Sequence, residues 1–94
     1  MVNRFNVMEV TTPTCSVCKM LAPMIKKTME LYPEVKLDVY DHEDESVKAV
    51  LEKYSIKSVP AFFFTKDGEI VDTHFGAIGM PELKNKLTKL TNEC

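Results

Sequence analysis

With 94 residues, 45% of them hydrophobic and 28% charged, the chain has the composition of one folded globule, and a single domain over residues 1–94 is expected. A formal net charge of -2 gives no support to a nucleic-acid or anionic-membrane partner, and the apolar run Val59 to Phe64 contains a proline and is far too short to span a bilayer. Three cysteines, only two of them close together, do not make the even framework of a disulfide-stapled secreted domain; with no signal-peptide pattern at the start, a cytoplasmic protein is expected.

Phe5 to Val10 reads as a short buried strand, and Thr11 to Thr14, with Pro13, as a polar loop. From Ser16 to about Leu31, apolar residues at Val17, Met20, Leu21, Met24, Ile25, Thr28 and Leu31 predict one stripe of a helix that Pro23 kinks and Pro33 follows. Val35 to Tyr40 is a second strand. The acidic run Asp41 to Glu45 then leads into a helix with Val47, Val50, Leu51 and Tyr54 on its apolar side, where negative charge suits the helix start. Ala61 to Thr65 and Glu69 to Phe75 read as a hairpin turning at Lys66-Asp67-Gly68. Met80 to Leu90 closes the chain as a helix, with Pro81 in its first turn and Leu83, Leu87 and Leu90 facing inward. The order β-α-β-α-β-β-α predicts an α/β fold: a four-stranded mixed sheet with helices on both faces.

The pair Cys15 and Cys18 falls where a strand gives way to a helix. A cysteine near the helix N-cap faces the unsatisfied N–H groups of the first turn, which favour a thiolate over a thiol of ordinary pKa about 8.5. The thiolate attacks disulfides, so Cys15 is the expected nucleophile, and Cys18, one turn on and deeper, the residue that resolves a mixed disulfide. An inert pair or a zinc site are the other readings of such a pair. Zinc commonly takes four ligands in two close pairs, whereas Cys94, His42 and His74 are scattered, so no metal is expected.

Around these cysteines the sequence resembles the thioredoxin family over nearly its whole length. Cys15-Ser16-Val17-Cys18-Lys19-Met20-Leu21-Ala22-Pro23 is similar to the family's active-site helix, Ser58-Val59-Pro60-Ala61-Phe62 to its cis-proline segment, Lys66-Asp67-Gly68-Glu69 to its hairpin turn, and Gly76-Ala77 followed by Pro81-Glu82-Leu83 to the glycine before its last helix. The resemblance implies a thioredoxin-like fold and a thiol–disulfide oxidoreductase that reduces protein disulfides, with no cofactor besides the Cys15–Cys18 disulfide. It implies that Val59 offers backbone hydrogen bonds to an extended substrate beside a cis Pro60, that Gly76 lets the backbone come close to the same surface, and that Glu9 is a buried acid exchanging a proton with Cys18. Lys36 matches the lysine that neighbours this acid, or Leu37 does if the strand shifts by one residue. A thioredoxin reductase or glutathione is the implied electron donor, and nothing in the sequence requires more than a monomer. Ser16-Val17 stands where typical thioredoxins have Gly-Pro, Thr14 where they have tryptophan, and their opening strand and helix have no counterpart, which leaves a core nearer glutaredoxins in size. A glutathione-coupled glutaredoxin-like enzyme and a non-catalytic peptide-binding module are the alternatives to a protein-disulfide reductase.

The remaining conspicuous residues have plainer readings. His42 sits in a solvated helix start, His74 on a sheet surface, the six methionines in the core, and Cys94 at a frayed end.

Overall fold

A strand turns alternate side chains to opposite faces, and in this chain both faces find a cover. The computed structural model describes residues 4–56 and 59–92, so the expectations for Ser58 and Cys94 lie outside the described residues. Its elements are β1 (Phe5–Thr11), α1 (Ser16–Met29), β2 (Val35–Asp41), α2 (Glu45–Lys53), β3 (Ala61–Lys66), β4 (Glu69–Phe75) and α3 (Met80–Thr91). The four strands form one mixed sheet in the order β2-β1-β3-β4. β1 runs parallel to β2 and antiparallel to β3, which pairs antiparallel with β4. This is the predicted α/β arrangement.

Side-chain alternation divides the interior in two. Phe5 and Val7 of β1, with Phe62 and Phe64 of β3, pack against Ile25 and Met29 of α1 and Leu83, Leu87 and Leu90 of α3. On the other face, Val10, Ala61 and Phe63 pack with Val47 of α2, joined by Val50, Leu51 and Tyr54. The three consecutive phenylalanines of β3 therefore serve both cores, each ring 1% exposed or less. On β4, by contrast, Phe75 is 41% exposed.

The α1 stripe differs from its prediction at both ends. Val17, Met20 and Leu31 are exposed, while Cys18, Ile25, Thr28 and Met29 are buried, with Leu21 and Met24 packed beside them. The helix stops at Met29, because the following amides tighten into shorter-range bonds, Leu31 to the Thr28 carbonyl (3.0 Å) and Tyr32 to the Met29 carbonyl (3.0 Å). That tighter turn swings Leu31 out of register. Thr28 sits without cost in the interior because its hydroxyl donates to the Met24 carbonyl at 2.8 Å. Pro23 lies inside α1, where its missing N–H leaves the fourth carbonyl back unserved and favours a kink.

Candidate active site

β1 delivers the chain to one end of the sheet, and Thr12 to Thr14 carry it over to α1. The Cys15 amide bonds back to the Thr12 carbonyl (3.2 Å), which closes this short connection. Cys15 is the N-cap of α1, in extended conformation (φ -81°, ψ 98°), and its Sγ accepts from the Cys18 amide at 3.1 Å. A sulfur thus takes the place that a serine or aspartate oxygen usually holds, and it lies at the positive end of the helix. Cys15 and Cys18 are joined as a disulfide, with Cα atoms 5.3 Å apart. Cys15 is half-buried, whereas Cys18 is 6% exposed. An incoming disulfide can therefore reach the first sulfur and not the second.

Glu9 lies two residues from the end of β1, on the face shared with Phe5 and Val7, and is 4% exposed. Burial pushes its carboxyl pKa above the ordinary 4.5. An open groove of about 260 Å³ runs beside it, lined also by Thr11, Thr12, Cys18, Lys19, Ala22 and Val39. One small space thus borders both the acid and the buried cysteine. Val39 is the β2 residue directly paired with Glu9, while Lys36 pairs with Asn6, whose side chain belongs to the opposite face. The lysine match for Lys36 is corrected accordingly: an odd number of residues from Val39 puts Lys36 on the far side, where it pairs with Asp38 at 3.7 Å. Leu37 shares the face of Glu9 and is packed against the core. No cation from β2 lies beside the acid, and this leaves desolvation to dominate its titration.

The Val59–Pro60 peptide bond is cis, as the resemblance implied. Register brings Ala61 opposite Val10 and Phe75 opposite Ala61, so Pro60 and Gly76 arrive at the sheet end where β1 leads to Cys15. The Gly76 amide donates to the Pro60 carbonyl at 2.7 Å. Gly76 has φ +99°, a conformation that side chains rarely adopt, and a Cβ there would meet nothing within 4 Å. Both features leave bare backbone beside the proline.

His42 lies within 3.2 Å of Asp41 and 3.9 Å of Glu43 in an exposed helix approach, and Asp44 caps α2 by accepting from the Ser46 amide at 2.9 Å. His74 departs from its surface reading. Its Nδ1 lies 3.2 Å from Glu82 and its Nε2 2.9 Å from the Ala77 carbonyl. Sequence could not show this, because one partner is a main-chain atom and the other sits on the next element. Val39, too, emerges as a groove residue only through strand register.

The family profile described as Thioredoxin matches residues 2–89. The chain is 35% identical over 77 residues to Thioredoxin 1 of Synechococcus elongatus, covering 82% of this chain and 71% of that protein. It is 37% identical over 76 residues to an H-type thioredoxin of Populus jackii, covering 81% of this chain and 52% of that protein. Among solved structures, the X-ray structure of Fasciola hepatica thioredoxin superposes with a TM-score of 0.79 at 28% identity, covering 95% of this chain and 83% of that one. With the profile match over most of its length, these relatives and a disulfide between Cys15 and Cys18 at the head of α1, the chain belongs to the thioredoxin family and is a thiol–disulfide oxidoreductase.

Proposed function

We propose that the protein reduces disulfides of protein substrates, with Cys15 attacking, Cys18 resolving and Glu9 moving the proton. The Cys15 thiolate, favoured at the helix N-terminus, attacks one substrate sulfur; a mixed disulfide forms and the other substrate sulfur leaves as a thiolate. Cys18 then gives its proton to the Glu9 carboxylate and attacks Cys15 Sγ. The second substrate thiol is released, and the Cys15–Cys18 disulfide described above is the product. Two electrons pass to the substrate, and a donor must return two; thioredoxin reductase or glutathione, in the cytoplasm, completes this reading. The exchange needs no cofactor beyond the two sulfurs. Val59, Pro60 and Gly76 supply the backbone along which an extended substrate strand lies.

The observation that carries the assignment is the asymmetry of the pair: a reachable sulfur that caps the helix, bonded to a covered one that borders the groove of Glu9. It predicts that Cys18→Ser accumulates Cys15-linked mixed disulfides with protein substrates, while Cys15→Ser accumulates none. Non-reducing gels and mass spectrometry of the trapped species test it. Equal trapping by both variants, or by neither, sinks the assignment of roles.

A further inference from the structure

β4 carries a polar side chain that the sulfur chemistry does not use. His74 pairs with Phe62 across the β3–β4 ladder, its ring centroid 6.2 Å from the Phe62 ring, and its side chain is 17% exposed. A largely covered imidazole needs partners for both nitrogens. It finds them on two separate segments, the Ala77 carbonyl for Nε2 and the Glu82 carboxylate, in the first turn of α3, for Nδ1. Both partners are acceptors, so whichever ring nitrogen carries a proton has one to donate to. On α3, Lys86 is committed elsewhere: it bonds Asp72 at 3.1 Å and the Thr73 carbonyl at 3.2 Å.

One contact lies within residues 76–79, which join β4 to α3, and the other just beyond them. The segment is tied at Gly76, whose amide bonds the Pro60 carbonyl, and by the side chain of Ile78, 2% exposed. Gly76 itself holds a left-handed conformation, in the least restrained residue type. What sets the peptide plane between Ala77 and Ile78 is the imidazole that holds its carbonyl. Because the peptide is planar and trans, the Ile78 N–H points the opposite way. One side chain therefore fixes which main-chain group each side of this segment offers.

We propose that His74 is a positioning residue that clamps the Ala77–Ile78 peptide, next to Gly76 in the wall beside Pro60, and thereby sets affinity for extended peptide substrates without touching the exchanging sulfurs. This rests on the reading of Val59, Pro60 and Gly76 as the substrate groove. Small disulfides reach Cys15 without lying along that wall and do not need it.

The test mixes pre-reduced protein with excess of an extended disulfide-containing peptide or with the small disulfide 5,5′-dithiobis(2-nitrobenzoate), quenches with acid, and follows oxidation of the pair by alkylation and mass. His74→Ala is expected to raise the half-saturating peptide concentration about five-fold, the scale of one partly exposed hydrogen bond. The limiting rate should stay within about two-fold and the rate with the small disulfide should not change. His74→Gln should recover most of the loss, because its amide can still donate to the Ala77 carbonyl. An unchanged half-saturation in His74→Ala overturns the proposal, as does a fall in limiting rate shared by both substrates, which marks a residue that merely holds the fold. Gly76→Ala separates the two layers. If it weakens peptide saturation while His74→Ala does not, the positioning role fails alone; if neither does, the groove itself has been misplaced.

Discussion

At the scale of single residues, Glu9 is where physical cost and chemical use meet. A carboxyl that is nearly sealed among apolar side chains prefers its neutral form, and its pKa is raised by that desolvation. The native state then holds this proton more tightly than the open chain does. Its contribution to stability is whole below the ordinary value of 4.5 and is lost as pH rises through the elevated native value. Glu9→Gln should therefore raise stability at pH 8 by on the order of 1 kcal/mol and flatten the fall in stability above pH 4.5, as read by urea denaturation across a pH series. The same substitution removes the proton acceptor, so Cys18 should resolve mixed disulfides more slowly, on the order of a hundredfold if Glu9 is the general base. Gain in stability with loss of rate is the signature of a functional buried acid; a variant that loses stability at pH 8 would assign Glu9 a structural role. Asp44 shows the opposite sign. Hydrogen bonds from the Ser46 side chain and then its amide hold its pKa below the ordinary 3.8, so its support for α2 is present above that value and is lost as pH falls through the lowered native one.

At the scale of elements, the cysteine-bearing helix was the least faithful to its own periodicity. Strands and the closing helix followed their patterns, since Leu83, Leu87 and Leu90 meet the core as their spacing required. In α1 the apolar residues at Val17 and Met20 belong to the exposed rim next to the disulfide, so hydrophobicity there marks a surface and not a core. Pattern alone has no means of telling the two apart. The candidate cysteines were legible because a strand-to-helix junction is itself a chemical environment, whereas the groove beside Glu9 was not. It depends on β1–β2 register, and a one-residue slip exchanges every side chain across the sheet. That is why Lys36 was misplaced and Val39 overlooked. The edge position of β2 carries a prediction: Val39→Lys puts an ammonium on the wall facing Glu9 and should lower that acid's pKa, shifting the pH dependence of Cys18 resolution to lower pH with little change in thermal stability.

At the scale of the whole molecule, a chain this short buries a modest core, and stability on the order of 5–15 kcal/mol is all a small domain usually has. Leu87→Ala, in a fully covered position of α3, should cost about 2–5 kcal/mol and bring the protein close to its unfolding midpoint, measurable by denaturant titration. A redox titration in glutathione buffers sets the direction of work: a reversible two-electron couple more reducing than the glutathione pool supports a reductase fed by its own donor, and a more oxidising one supports glutathione coupling. The overall architecture was readable from pattern, because alternation along β1 and β3 and the hairpin turn at Lys66-Asp67-Gly68 leave few ways to arrange the sheet.

The three adjacent phenylalanines of β3 link these scales. Phe62 and Phe64 belong to one interior and Phe63 to the other, so neither half of the protein owns the strand that both depend on. Loosening α2 withdraws packing from Phe63, and the same backbone carries that disturbance to the partners of α1 and α3. The molecule should therefore melt as a single calorimetric unit, its van't Hoff and calorimetric enthalpies equal, with no half-open species that keeps its sulfurs in working order. Activity during thermal ageing should then follow the folded fraction one for one, so that a simple disulfide-reduction assay doubles as a count of intact molecules.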